Sequence, residues 1–123
     1  MHWRDAKKLI DAGMKVIRNA HCPQDPAFMD AFDELGLFVI VNTPGWQFWN
    51  DAPVFAQRVY SDIRNLVRRD RNHPCVWMWE PILNETWYPA NVARNAHDMV
   101  EAEYPDPYCY SGCDSEAKGK EHF

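Results

Sequence analysis

The sequence has no apolar run approaching the roughly 20 residues that span a bilayer. Its first residues carry Arg4, Asp5, Lys7 and Lys8 and lack the apolar stretch of a secretion signal. If the chain is a piece of a longer one, the second absence has no bearing on secretion. A membrane partner is not expected from these residues. Positive charge is scarce: 13 Lys and Arg against 18 Asp and Glu give a net charge of −5. The main basic group, Arg64, Arg68, Arg69 and Arg71, falls at the end of a predicted helix, where it suits the negative pole. It forms no stripe, so nucleic acid is not an expected partner. There is no CxxC pair among Cys22, Cys75, Cys109 and Cys113. With His97 and His122, the spacings match no common zinc site. No metal and no organic cofactor are expected, and the thiols read as free. Internal repeats and low-complexity segments are also missing.

What is present suits one globular domain over residues 1–123. Hydrophobic residues make up 46% and charged residues 25%, enough apolar mass for a core and too little charge for disorder. There are six Trp. Trp3 and Trp77 read as core residues, and Trp46, Phe48 and Trp49 as an aromatic loop.

Periodicity divides the chain into alternating elements. Trp3, Ala6, Leu9 and Ile10 mark an amphipathic helix over about 3–12 capped by Gly13. A short strand follows over Lys15–Arg18. Pro26 opens a helix whose buried stripe is Phe28, Ala31, Phe32 and Leu35, ending at Gly36. Leu37-Phe38-Val39-Ile40-Val41 is apolar on both faces, as a buried parallel strand must be. A long loop over 42–50 leads to a helix of about 16 residues carrying Phe55, Val59, Ile63, Leu66 and Val67. The strand Val76–Trp79 comes next. A helix after Pro89 carries Val92, Ala96, Met99 and Val100, and Tyr108–Ser111 reads as a last strand. Such alternation predicts an α/β fold with about four parallel strands joined by right-handed helical crossovers.

Two blocks carry the chemistry. Arg69-Asp70-Arg71-Asn72-His73-Pro74 runs into the strand Val76-Trp77-Met78-Trp79, and Glu80, Asn84 and Glu85 follow it. Carboxylates just past the end of a buried parallel strand stand where α/β proteins place their active sites. The first block is Arg18-Asn19-Ala20-His21-Cys22-Pro23, then Asp33-Glu34-Leu35-Gly36-Leu37-Phe38-Val39. Together they closely resemble the acid/base strand and the "R-x-x-H-x-P … D-x-x-G-L-x-V" segment of glycoside hydrolase family 2, the beta-galactosidase and beta-glucuronidase family, over roughly residues 3–111.

The resemblance implies a partial (β/α)8 TIM barrel holding the second to fifth strand units, and a retaining hydrolase of O-glycosidic bonds, beta-galactosidase-like, with a carbohydrate substrate. It implies Glu85 as general acid/base, Asn84 as partner of the sugar 2-hydroxyl, and Arg18, His21 and Asn42 at the catalytic face. Arg18 would orient a carboxylate through paired hydrogen bonds. Trp46 is the aromatic expected against substrate. His73, before its strand, is expected at the opposite, structural edge. The stretch Trp79-Glu80-Pro81-Ile82-Leu83-Asn84-Glu85 is one residue longer than the family's usual turn. It adds Glu80, which either raises the acid's pKa by like-charge repulsion or pairs with Arg18. The nucleophile, a downstream glutamate in the family, has no match here, so the chain is expected to be a fragment inactive by itself. A non-catalytic carbohydrate-binding or assembly half-barrel is the alternative. Exposed sheet edges imply a homo-oligomer.

Overall fold

The computed structural model describes residues 1–83, 85–106, 110–111 and 118–119. Its elements are α1 (His2–Asp11), β1 (Val16–Arg18), α2 (Pro26–Leu35), β2 (Phe38–Asn42), α3 (Pro53–Asp70), β3 (Val76–Glu80), α4 (Ala90–Glu103) and β4 (Tyr110–Ser111). Each expected element is present, with ends shifted by one or two residues. Of the expected last strand, Tyr110 and Ser111 are strand, and residues 108 and 109 lie outside the described residues.

The helix ends follow from local chemistry. Gly13, at φ 84°, lets α1 close with Gly13 N–H on the Ile10 carbonyl (2.8 Å) and Met14 N–H on that of Leu9 (3.0 Å), the paired closure that a left-handed residue permits. Pro26 stands at the first turn of α2, and the Asp25 carboxylate accepts from Ala27 N–H at 2.8 Å. Pro53 begins α3 the same way, with Asn50 Oδ1 accepting from Ala52 N–H.

All four strands are parallel and lie in the order β1-β2-β3-β4. Consecutive order means every crossover turns in the same sense, so the helices cover one face of the sheet. Residues of alternating parity therefore have opposite fates. Val39, Val41 and Trp79 are at most 1% exposed and share the core with Phe32, Ile63, Val67 and Val100 of the helices. The other face carries Val16, Arg18, Phe38, Ile40, Asn42, Met78 and Glu80 by register. Near its N-terminal end Val16 and Phe38 stand exposed.

Two expectations fail here. The strand of β2 is not buried on both faces, since Phe38 is 48% exposed. Trp3 and Trp77 are not core residues, being 43% and 45% exposed. Trp77 stands at the register shift between β2 and β3, where Val39 pairs with Val76 but Ile40 with Met78, so it has no opposite number on β2. Trp79 is the tryptophan of this strand that fills the core.

Candidate active site

Three loops meet at the C-terminal edge of the sheet. The ladder continues past the strand ends: Asn19 N–H donates to the Ile40 carbonyl and Thr43 N–H to that of Glu80, both at 3.0 Å. Gly45 N–H reaches the His21 carbonyl at 3.4 Å. The loops after β1, β2 and β3 are thus tied side by side, as parallel neighbours must be.

Arg18 ends β1 and reaches across the sheet to Glu80, which ends β3. The guanidinium grips the carboxylate with two bonds, Nε to Oε2 at 2.7 Å and Nη2 to Oε1. Glu80 is 6% exposed. Of the two readings of Glu80, the structure therefore takes the ion pair, and its charge is committed to Arg18. Asn42 pairs with Glu80 in register and is 2% exposed.

Glu85 stands in the open beyond this pair, on a left-handed residue (φ 47°). Its Oε2 accepts from Trp46 Nε1 at 3.1 Å and from Gln47 Nε2 at 2.9 Å. These two bonds, Trp46 first, hold the carboxyl below the ordinary glutamate range; His21 and Arg18 add electrostatic pull, and partial desolvation opposes them. The His21 ring lies on the Trp46 indole, 5.4 Å between centroids and 15° from parallel. Phe48 and Trp49, in the same loop, instead pack edge-on against Phe55, and Trp49 also against Tyr88.

The structure thus brings Arg18, His21, Asn42, Trp46 and Glu85 to one rim; Asn84 lies outside the described residues. Four polar atoms at the rim, Asn19 Nδ2, His21 Nδ1, Asn42 Oδ1 and Thr43 Oγ1, are buried with no hydrogen-bond partner among the described residues. Buried polar groups are normally satisfied, by protein, by ordered water or by a ligand. Gln47, Asn19 and Thr43 were not singled out from the sequence. Gln47 reads there as one more polar loop residue, because its role depends on a backbone turn that residue types do not announce.

His73 precedes β3, at the opposite edge. Its Nδ1 lies 2.6 Å from Asp33 Oδ2, while Asp33 Oδ1 accepts from Cys75 N–H at 2.8 Å. Burial works to raise the Asp33 pKa, but hydrogen bonds from the Cys75 side chain, His73 and the Cys75 backbone outweigh it and lower the value. Asp33, His73 and Cys75 hold three potential metal-ligand atoms within 4.8 Å. They are committed to one another, and burial pushes the Cys75 thiol well above its usual range, so the group reads as a clasp between α2 and β3. Among the described residues Cys22 and Cys75 are free thiols; Cys109 and Cys113 lie outside them. No helix among the described residues is long and apolar enough to cross a membrane.

Comparison with known proteins agrees with this architecture. Residues 1–107 match the family described as glycosyl hydrolases family 2, TIM barrel domain. A beta-galactosidase of Thermoanaerobacter pseudethanolicus (strain ATCC 33223 / 39E) is 37% identical over 76 residues, covering 62% of this chain and 10% of the relative. A putative beta-glucuronidase of Formosa agariphila is 33% identical over 93 residues, covering 70% of this chain and 9% of the relative. A solved family 2 member from Bacteroides cellulosilyticus DSM 14838 superposes with a TM-score of 0.78 at 27% identity, covering 98% of this chain and 17% of that one. The chain spans about a tenth of the length of the curated relatives it matches. With parallel strands in consecutive order, helices on one face and a family match over most of its length, the chain belongs to glycoside hydrolase family 2, in the TIM-barrel domain.

Proposed function

We propose that this segment carries the general acid/base half of a retaining glycosidase site, with Glu85 as the acid/base, on strands equivalent to the second to fifth of the barrel. The observation that carries the reading is the placing of the Glu85 carboxylate at the C-terminal rim, tied to Trp46 and Gln47. A TIM barrel keeps its chemistry at that rim. Asn84 would bind the sugar 2-hydroxyl, with His21 and Asn42 beside it at the same rim. Trp46, 52% exposed, offers a face to a sugar ring. Arg18 and Glu80 form the floor.

Retention needs a second carboxylate about 5–5.5 Å from the first, which attacks the anomeric carbon while the first protonates the leaving oxygen. No residue of this chain is assigned that role. In a complete site the charge of a neighbouring nucleophile would raise the Glu85 pKa and let Glu85 hold its proton. The names of the relatives point to terminal galactose or glucuronic acid as the sugar, with a beta-galactosidase-like activity first.

Turnover of a nitrophenyl glycoside tests the reading. The chain alone is expected to give none. Extended to a complete family barrel it is expected to turn over, and Glu85→Gln is expected to lower the rate by at least about a hundredfold. Turnover by the chain alone, abolished by Glu85→Gln, would refute the missing nucleophile.

A further inference from the structure

The loop between β2 and α3 does more than present an aromatic ring. Two consecutive residues, Trp46 and Gln47, direct their side-chain N–H groups at one oxygen, Glu85 Oε2. Gln47 adopts φ 55° and Glu85 φ 47°. Left-handed backbone at a residue other than glycine is disfavoured and persists where contacts hold it. Here two such residues, 38 positions apart, are joined by a hydrogen bond of 2.9 Å. His21 lies flat on the Trp46 ring and so fixes the plane from which the indole N–H points.

We propose that Gln47 is a positioning residue for Glu85: with Trp46 it holds Oε2 as a hydrogen-bond acceptor and so fixes the orientation of the carboxyl group at the rim. This rests on the reading of Glu85 as the acid/base. An oxygen that accepts two N–H bonds has its in-plane lone pairs engaged, and protonating it would expel a donor. The clamp therefore holds the carboxyl against rotation, the kind of orientation on which proton transfer depends. The charged groups facing Glu85 are His21, from the loop after β1, and Arg18, at the end of β1, whose own partner is Glu80. All three stay in place in a Gln47 variant, so a difference isolates the amide.

The test is a carbon-13 NMR titration of the 123-residue chain labelled at glutamate carboxyls, with the Glu85 signal assigned by its loss in Glu85→Gln. Gln47→Met keeps the length and removes the donor. Its Glu85 midpoint is expected to rise above that of the unaltered chain, because the charged form loses a hydrogen bond. Trp46→Phe, which removes the other donor, is expected to move it the same way, and Gln47→Glu, which adds a like charge, to move it further. An unchanged midpoint in Gln47→Met, with amide spectra otherwise retained, would overturn the proposal. So would a rise in Trp46→Phe alone. The titration needs no turnover, so its failure is separate from failure of the acid/base reading, which shows only as unimpaired glycosidase activity in Glu85→Gln.

Discussion

Arg18 and Glu80 show how much one pair decides. They end strands two places apart in the sheet and clasp across β2. Glu80 is nearly buried, while Arg18 keeps 38% of its side chain exposed. Removing the cation leaves a buried carboxylate without compensation, so Arg18→Met is expected to destabilise the chain by about 2–3 kcal/mol, less than a fully buried pair because water reaches the guanidinium. Arg18→Met combined with Glu80→Leu is expected to recover part of that loss. Urea unfolding at one fixed protein concentration measures both, and an Arg18→Met variant as stable as the parent would contradict the assignment. At the other edge, Asp33 has a folded-state pKa below its ordinary value of 3.8. Its contribution to stability is therefore present above the unfolded pKa and lost as the pH falls below about 3.8 through the folded value. Asp33→Asn is expected to flatten the acid limb of stability in that window. A limb unchanged by the substitution would mean that the His73 and Cys75 contacts add nothing.

Among the elements, the β2–α3 loop governs the site. It leaves the sheet at Thr43, is anchored by Trp49 and Phe48 on Phe55, and in between must bring Trp46 and Gln47 back toward Glu85. Gly45 permits this. It sits at φ 129°, and a Cβ there would lie 2.8 Å from Leu83 Cδ2, a side chain 3% exposed. Gly45→Ala is expected to cost about 1–3 kcal/mol in strain and contact. It is also expected to displace Trp46, read as a change in its fluorescence on titrating Glu85. A variant with parental stability and fluorescence would show that the loop can re-route. The ends of α1 and α2 were legible in advance, because Gly13, Pro26 and Gly36 act through local backbone sterics. The course of this loop was not, since its turns are set by contacts with His21, Leu83 and Glu85, each distant in sequence.

At the scale of the molecule, the helices cover one face of the sheet and the other is open where Val16 and Phe38 are 36% and 48% exposed. Strands β1 and β4 are the two edges. An exposed apolar face with free edges is a template for association. The isolated chain is accordingly expected to self-associate, most simply as a two-fold dimer. Light scattering over a dilution series checks this, and Phe38→Lys is expected to shift the equilibrium toward monomer. A stable monomer of the unaltered chain at micromolar concentration would show that the open face is covered in another way.

The sequence by itself determined the alternation of helices and strands, the parallel sheet and the family. Those rest on hydrophobic period, proline and glycine positions, and two blocks of residues whose order is read along the chain. Through the family resemblance it also marked Arg18, His21, Asn42, Trp46 and Glu85 as candidates for one rim. Only the tertiary structure decided which charges pair and which tryptophan is buried. Glu80 could as well have faced Glu85 as Arg18; the parallel register, which sets Arg18 beside Ile40 and Glu80 beside Asn42, put it within reach of the guanidinium. Trp77 and Trp79 are alike in local sequence, yet the register shift at the start of β3 leaves one exposed and turns the other into the core. Gln47 gained its place at Glu85 from a backbone turn held by long-range contacts, and side-chain identity along a chain does not encode such distances until the strands have paired.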